Sequence, residues 1–328
     1  MLRAFHQPGY CAAALGYFGH IWELYAFWVM VPLLVGALLA TPGASAGLSL
    51  ASLYGKVLPD AKITVQATKA SVENLNLLQK GSGEVALTLG DSLSAAWTGN
   101  EEAGFKAPLT KLRTISPMYS NYVQIVASKD SGIKTLADLK GKRVSVGAVK
   151  SGTELNARAV FGAAGIQYSD FSKVEYLPYG ESVELLKNRQ IDATLQSAGL
   201  GNPALRDLAT SVEVVFVLVP AEVVAKIGDS AYQSAAIPAE TYKGQDGEVP
   251  TASIVNYLVT HDGVAEEQVY RMTKVMFENL DQMVAAHAAA KGIKLEHAAN
   301  PTPAPLHPGA ERYFKEAGVS LNPVAGAK

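Results

Sequence analysis

The sequence predicts an α/β fold with two lobes and a cleft between them. From residue 47 onward, segments with the hydrophobic pattern of strands alternate with segments that have the pattern of helices. Short polar turns stand where predicted strands end and helices begin, and they occur in separate parts of the chain. The chain has 328 residues, of which 48% are hydrophobic, so it can bury one large core or two smaller ones.

The composition excludes several classes of function. A formal net charge of −2 and a pI near 6.3 provide no basic field that would attract nucleic acid or anionic lipid. The single cysteine, Cys11, allows no internal disulfide and no thiolate metal cluster. The six histidines never occur at a metal-ligand spacing such as H-E-x-x-H, and no G-x-S-x-G or Walker A motif is present. We therefore expect no catalysis, no metal and no other cofactor.

The first 46 residues predict a leader sequence. Residues 24–41 form an apolar run without charge, and residues 44–46 have the small-x-small pattern that signal peptidases cleave. The run is also long enough to span a bilayer. Three interpretations remain: a cleaved leader, an uncleaved anchor at residues 9–41, or a foreign helix that a gene junction has joined to an export signal beginning near Val31. All three place the rest of the chain outside the cytoplasmic membrane, in the periplasm.

The first predicted unit is a strand, a helix and a second strand. Residues 62–68 are rich in β-branched side chains and predict a strand. Residues 71–81 carry apolar residues at helical spacing and end on Gly81, a common stop signal. Residues 84–90 predict a buried strand, which completes a βαβ unit.

The following elements continue this alternation and predict a second α/β lobe. Residues 121–128 and 143–148 predict strands, and the polar turn at 151–154 leads into a helix that ends near residue 165. Residues 266–290 carry one apolar stripe and predict a single long helix packed on a core. The other predicted elements are the helix 135–141, the strand 173–179, the helix 181–190, the strands 191–197 and 212–220, the loop 297–310 and the helix 311–319.

The polar turns suggest an anion site. Ser151 followed by Glu154 is the capping-box pattern, whose ordinary role is to begin a helix. Such a helix start also exposes backbone N–H groups and the positive end of the helix dipole, and Gly152 lets a ligand approach the backbone. A similar turn occupies residues 68–74, and residues 90–91 end the next strand. Because ligands of open α/β sheets bind at the carboxyl ends of strands, we expect these turns to line one cleft that binds a carboxylate.

Three separated motifs resemble one family of transport proteins. The stretches QATKASVENLNLLQKG, NYVQIVASKDSGIKTLADLKGKRVSVGAVKSGTE and PLHPGAERYFKEAGV are similar to the TAXI class of solute-binding proteins, which serve tripartite ATP-independent periplasmic (TRAP) transporters. The resemblance extends from about Leu48 to Val319. It implies a two-lobed, type II-like periplasmic binding protein that is not an enzyme. Such a protein captures a small carboxylate such as glutamate, glutamine or a related dicarboxylate, and delivers it to a TRAP membrane permease driven by an ion gradient.

The resemblance also implies lobe boundaries and site residues. The boundaries are 47–122 for the first part of lobe 1, 123–224 for lobe 2 and 225–328 for the return to lobe 1. The residues that would line the ligand cleft are Thr68, Ser71, Asn74, Gly90, Asp91, Tyr119, Asn121, Ser151, Gly152, Thr153, Gln196 and Asn202.

The N-terminus departs from the pattern of this family. Family members begin with a strand and a Gly-Thr-rich turn, whereas here the leader's ASAG joins directly to LSLASLYGKVLPDAKITVQ, which resembles the first helix. The upstream stretch AAALGYFGHIWELYAFWVMVPLL resembles the first transmembrane helix of major facilitator superfamily transporters. The departure predicts that lobe 1 lacks its first strand. It also suggests an alternative to uptake, a product of a rearranged gene that binds nothing. A separate alternative, which does not depend on the N-terminus, is a ligand sensor that presents its lobes to a membrane receptor.

Overall fold

The structure is a computed structural model that describes residues 37–40, 45–58 and 63–322 of the chain. Most of the predicted leader, including the stretch that resembles a transporter helix, lies outside these ranges. No helix within them is long and apolar enough to cross a membrane.

Ten strands and ten α-helices make up the regular structure of the described residues. The strands are β1 (Ala37–Ala40), β2 (Thr64–Ala67), β3 (Val85–Leu89), β4 (Leu112–Ser128), β5 (Arg143–Ser145), β6 (Lys173–Glu175), β7 (Ala193–Ala198), β8 (Val214–Val217), β9 (Tyr232–Ile237) and β10 (Val249–His261). The helices are α1 (Ser45–Val57), α2 (Ser71–Lys80), α3 (Gly90–Thr98), α4 (Gly152–Ala163), α5 (Tyr179–Lys187), α6 (Pro203–Ser211), α7 (Ala221–Ile227), α8 (Glu266–Glu278), α9 (Leu280–Ala286) and α10 (Pro308–Glu316).

Two long antiparallel strands join the halves of one mixed sheet. Its order is β2-β1-β3-β10-β4-β7-β5-β6, while β8 pairs with β4 and β9 with β10. β4 has 17 residues and β10 has 13, and they pair with each other at the centre of the sheet. The parallel strands β1 to β3 lie on one side of this pair, and the parallel strands β5 to β7 lie on the other. The predicted two-lobed α/β fold is therefore confirmed, with β4 and β10 as the strands that cross between lobes.

Each lobe has its own hydrophobic core. In lobe 1, Leu53 of α1, Met272 of α8 and Phe314 of α10 are buried in one cluster. In lobe 2, Phe161 of α4 is buried in a cluster with Leu195 of β7. The two cores meet where Leu89 of β3 packs in the lobe 2 cluster, and β4 and β10 are the covalent connections between the lobes, an arrangement that permits hinge closure of one lobe on the other.

The predicted helix at 266–290 is wrong in its extent. It is two helices, α8 and α9, which are separated by Asn279. Asn279 has φ −129°, outside the helical region, and its side-chain amide donates to the carbonyl of Val275 at 2.8 Å. The apolar stripe continues past this residue, so periodicity alone could not show the break. Similarly, the helix predicted at 135–141 is only a short 3-10 turn, Ala137–Leu139.

The place of the first strand in lobe 1 is filled, contrary to the prediction that this strand is missing. β1 lies between β2 and β3 and runs parallel to both, with Ala37 opposite Thr64 and Leu38 opposite Val85. Its residues come from the apolar run that predicted a leader. A short segment can take this position because the neighbouring strands β2 and β3 require backbone hydrogen-bond partners there. β1 therefore stands upstream of the predicted cleavage point, and α1 spans that point.

Candidate functional site

A cavity of about 240 Å³ lies between the two lobes. Lobe 1 lines it with the end of β2, the start of α2 and the end of β3, and lobe 2 with the starts of α4 and α5 and the end of β7. The middle of β4 and one residue of β10 complete the wall. The lining residues are Thr68, Lys69, Ala70, Ser71, Asn74, Leu87, Thr88, Leu89, Tyr119, Asn121, Ala148, Ser151, Gly152, Thr153, Pro178, Tyr179, Ser197 and Asn256.

The lobe 1 wall is held by hydrogen bonds between α2 and the neighbouring strands. The Thr68 hydroxyl donates to Asn74 Oδ1 at 2.6 Å, and Asn74 Nδ2 donates to the carbonyl of Leu87 at 2.8 Å. The backbone N–H of Leu89 donates to Ser71 Oγ at 3.2 Å. These buried bonds hold the start of α2 against the end of β3.

Ala70, immediately before α2, has a strained backbone. Its φ of 83° and ψ of −152° lie in a region that glycine adopts and other residues rarely do. Such a conformation costs about 1 to 3 kcal/mol, and it persists only where the surrounding structure enforces it, often at a ligand site. The strain therefore lies directly in the wall of the cavity.

The lobe 2 wall begins with a helix cap. Ser151 is the N-cap of α4, and its Oγ accepts the backbone N–H of Glu154 at 3.1 Å. The other half of the predicted capping box is not formed, because the Ser151 N–H donates to the carbonyl of Ala148. The Glu154 carboxylate instead pairs with Arg158 on the next turn of α4. Ser151 thus starts the helix as predicted, while Glu154 is turned away from the cap.

A chain of hydrogen bonds runs across the cavity wall from the crossing strands β4 and β10 to α4. Asn256 Nδ2 donates to Asn121 Oδ1 at 2.6 Å, and Asn121 Nδ2 donates to the carbonyl of Ser197 at 2.9 Å. The Tyr179 hydroxyl donates to the same carbonyl at 2.7 Å. Since that hydroxyl has only one proton, the Thr153 hydroxyl, 2.6 Å away, must donate to Tyr179. Burial raises the pKa of Tyr179 to about 12, so the tyrosine keeps the proton that this arrangement requires.

Three helices, α2, α4 and α5, direct their N-terminal ends to the cavity. Each N-terminus carries a partial positive charge and backbone N–H groups without intrahelical partners. Among the described lining residues, Lys69 is the one charged side chain, and it is exposed. The wall therefore presents backbone and hydroxyl donors and no carboxylate, which favours an anionic ligand.

Ser197 provides one further unsatisfied group at this wall. Its side chain is 3% exposed, and its Oγ has no hydrogen-bond partner among the described residues. Buried polar groups are nearly always paired, and an exception calls for an explanation such as a ligand or water. The oxygen has almost no accessible surface, so a ligand in the cavity as described does not reach it.

Most of the predicted site residues line the cavity, but four do not. Gly90 packs against β10, since a Cβ placed on it would lie 3.0 Å from the Tyr257 ring and 3.3 Å from the Val255 carbonyl. Asp91 turns to hydrogen-bond partners outside the cavity. Gln196 precedes Ser197 in β7, so its side chain points to the opposite face of the strand. Asn202 is the N-cap of α6, where its side chain accepts the Ala204 N–H at 2.8 Å.

The sequence prediction also missed Tyr179, Ser197 and Asn256. Tyr179 is the last residue of the strand predicted at 173–179, whereas in the structure it begins α5, two residues before the predicted start of that helix. Ser197 could have been preferred to Gln196 if the strand's alternation had been known. Asn256 lies between Val255 and Tyr257, where the pairing of β10 with β4 shifts its register. Such irregularities redirect side chains near binding sites, and no local sequence pattern marks this one.

A second cavity shares Tyr119 with the first. Its volume is about 490 Å³, and it is lined by the crossing strands and by the C-terminal segments around Ala288 and His297. No N-terminus of a described α-helix contributes to its lining. The smaller cavity is therefore the better candidate for an anion site, although it is not the larger of the two.

Comparison with known proteins identifies a family and a shared fold. The sequence profile of the NMT1-like family matches residues 45–318. The solved structure of PhnD1 from Prochlorococcus marinus (MIT 9301) in complex with methylphosphonate has a TM-score of 0.56 and 12% identity, over 79% of this chain and 92% of that one. The alkanesulfonate-binding protein SsuA from Xanthomonas axonopodis pv. citri, bound to MOPS, has a TM-score of 0.46 and 17% identity, and the match covers 88% of this chain and 85% of that one. The periplasmic aliphatic sulphonate binding protein SsuA from Escherichia coli has a TM-score of 0.44 and 16% identity, and the match covers 87% of this chain and 84% of that one.

Proposed function

The chain belongs to the NMT1-like family, and we propose that it is an extracytoplasmic solute-binding protein that captures a small carboxylate between its lobes for uptake. The observation that carries this proposal is the convergence of three helix N-termini on a cavity with no acidic side chain among its described lining residues. Helix N-termini stabilise carboxylates and other oxyanions through their N–H groups and their dipoles.

The size of the cavity favours a small metabolite. Pockets for drug-sized ligands usually measure about 300 to 1,000 Å³. The cavity here is about 240 Å³, so it suits a compact acid better than a larger cofactor. Glutamate, glutamine and related dicarboxylates, which the resemblance to TAXI proteins suggests, are of this kind. A dicarboxylate could place one carboxylate at α2 and the other at α4 and α5.

Closure of the lobes provides the mechanism of capture. A Cβ placed on Gly152 of lobe 2 would lie 2.7 Å from both Ser71 Oγ and Leu89 Cδ1 of lobe 1. The lobes therefore touch beside the cavity, and the described conformation is a closed one. Opening about β4 and β10 would admit the ligand, and closing would surround it with donors from both lobes.

Calorimetric titration of the purified full chain tests the ligand class. Glutamate, glutamine and 2-oxo acids are titrated in parallel, with methylphosphonate as a competing oxyanion because PhnD1 of the same fold was solved with it. We expect heat of binding from at least one carboxylate. Folded protein that binds none of the carboxylates contradicts the proposal. Binding of methylphosphonate alone would show that the ligand is a phosphonate and not a carboxylate.

The partner that we propose is a TRAP membrane permease. An uptake assay with the radiolabelled acid distinguishes it from an ATP-driven permease, in cells of the native host with and without the gene for this protein. Collapse of the ion gradient at constant ATP should stop uptake. Uptake that survives this treatment and stops on ATP depletion contradicts the TRAP assignment while leaving ligand capture intact.

A further inference from the structure

Asp91 is a buried carboxylate at the contact between the lobes, outside the cavity. It is 7% exposed and belongs to the first turn of α3 in lobe 1. Its Oδ2 accepts hydrogen bonds from Asn156 Nδ2 at 2.6 Å and from the Tyr232 hydroxyl at 2.7 Å. Asn156 lies on α4. Tyr232 lies on β9, which packs in the same core cluster as Phe161, so β9 belongs to lobe 2 although residues 225–328 were predicted to return to lobe 1. A carboxylate of one lobe thus stands between two donors of the other.

Asp91, Asn156 and Tyr232 also make hydrogen bonds within their own lobes. Asp91 Oδ1 accepts the backbone N–H of Ser92 at 2.6 Å. Asn156 and Tyr232 are joined to each other by a bond of 2.8 Å, and they are 0% and 7% exposed. Separation of the lobes would remove Asp91 from both donors. Buried polar groups that lose their partners must be hydrated or remain unpaired, and either outcome opposes partial opening.

The same helix connects this group to the cavity. Asn156 lies four residues after Gly152, so the two residues share one face of α4. A bond that holds Asn156 to lobe 1 therefore also holds the N-terminus of α4 against Ser71, where it lines the cavity.

We propose that Asp91, together with Asn156 and Tyr232, is a latch that holds the lobes closed on the ligand without touching it. Asp91 is then a positioning residue, and its effect on affinity rests on the ligand capture proposed above. The latch itself is a property of the two lobes, so lobe closure can be measured whether or not the ligand is correctly identified.

The protonation of Asp91 gives the latch a pH dependence. Burial raises the pKa of Asp91 to about 6, against the opposing effect of the bonds from Tyr232 and Ser92, and the charge of Asp229 raises it further. On the helices packed against α3, the charged residues are Glu73 and Lys80 of α2 and Glu154 and Arg158 of α4, and His261 lies on β10.

The sign of this dependence follows from linkage. When the lobes open and Asp91 meets water, its pKa returns toward the usual value of about 3.9, so closing takes up a proton. Closure is therefore favoured as the pH falls through about 6. Between pH 7.5 and pH 5.5, a single group with these two pKa values strengthens closure, and with it ligand affinity, about fourfold.

Distances between spin labels on the two lobes test the latch. Labels are attached to Glu101→Cys in lobe 1 and Lys173→Cys in lobe 2, both exposed, in the full chain with Cys11→Ser. The distance distribution is measured at pH 7.5 and pH 5.5 without ligand, for the labelled parent and for Asp91→Asn, Asp91→Ala and Tyr232→Phe. Asp192→Asn is the matched control, because Asp192 pairs with Arg143 within lobe 2.

We expect the parent and the control to shift toward the shorter, closed distance at pH 5.5. Asp91→Asn, which cannot titrate, should lose the shift while it keeps a closed population, and Asp91→Ala should be more open than the parent at pH 5.5. If Asp91→Ala does not fold, Tyr232→Phe provides the same comparison with one donor removed. A parent that shows no pH shift, or variants that keep the shift unchanged, overturns the latch. Absence of glutamate binding in parallel calorimetry, with the distance changes intact, counts only against the proposed ligand.

Discussion

Helix α2 in lobe 1 and helix α4 in lobe 2 both begin at the cavity, but their first turns differ in construction. α4 has a side-chain cap, since Ser151 Oγ accepts the N–H of Glu154. α2 has no side-chain cap and begins after the strained Ala70, and its Ser71 Oγ is occupied by the N–H of Leu89 instead. The uncapped helix leaves more of its N–H donors for a ligand, while the capped helix is more stable in isolation. We therefore expect lobe 1 to anchor the anion and lobe 2 to close on it.

The contact between the two helix starts should show the largest effect of substitution. Gly152→Val places a side chain where Ser71 and Leu89 already lie, so the lobes cannot close fully. Overpacking of this kind costs about 1 to 3 kcal/mol, which corresponds to a loss of affinity of roughly 5-fold to 150-fold. Calorimetry with glutamate measures the loss.

Gly162 of the same helix provides the control for this substitution. A Cβ on Gly162 meets nothing within 4 Å. Gly162→Ala should leave affinity unchanged and raise the free energy of unfolding by about 0.5 to 1 kcal/mol, because alanine is the better helix former. Equal affinities for Gly152→Val and the parent would show that the lobes do not need this contact to hold a ligand.

The lobe 2 side of the cavity depends on the Tyr179 hydroxyl. Tyr179→Phe leaves the Thr153 hydroxyl without its acceptor and the Ser197 carbonyl without one of its donors. The loss of such buried bonds costs about 1 to 2 kcal/mol, so we expect affinity to fall roughly 5-fold to 30-fold. Tyr176→Phe is the control, because Tyr176 is exposed and does not line the cavity. If both variants bind glutamate equally well, the Tyr179 hydroxyl does not support the binding site.

The lobe 1 side of the cavity should respond to relief of strain. Ala70→Gly removes the penalty of a φ of 83° and should raise the free energy of unfolding by about 1 kcal/mol. Ala225→Gly, in the exposed part of α7, should lower it by about 0.5 to 1 kcal/mol, because glycine there only adds flexibility to the unfolded chain. Urea unfolding of the two variants gives opposite signs if Ala70 is strained. If both substitutions lower the free energy of unfolding by a similar amount, the backbone of Ala70 is not strained.

The smallest effect should come from the exposed lysines that precede the two helices. Lys69 lines the cavity, whereas Lys150 does not. Lys69→Gln should weaken glutamate binding about twofold to threefold at low salt and have little effect at 0.5 M salt, because exposed charges are screened. Lys150→Gln should change affinity at neither salt concentration. A salt-independent loss for Lys69→Gln would indicate a direct, buried contact instead.

Local signals explain which parts of the site could be predicted. The turns at Ser71 and Ser151 were recognised because capping residues and helical periodicity are short-range features of a sequence. The partners of Asp91 are 65 and 141 residues away in the chain, so no local pattern could show that its carboxylate turns from the cavity. Asn256 reaches the cavity through a register shift between β4 and β10, which depends on the assembled sheet.

The fold was predicted well where elements alternate and less well where tertiary contacts decide. Residues 121–128 were recognised as a strand, but they are only the second half of β4, whose first half contains Pro117 and two serines. The filled position of β1 is a further example, because an apolar segment predicted as a leader pairs with β2 and β3. Hydrophobicity alone does not distinguish a leader from a parallel strand inside a sheet.

A crystal structure of the full chain grown with glutamate tests the central claim most directly. The account predicts a carboxylate within hydrogen-bond distance of the backbone N–H groups that begin α2, with the lobes closed and α4 in contact with the same ligand. Glutamate bound only in the cavity beside His297, or bound between the lobes with neither helix N-terminus in contact, would contradict it.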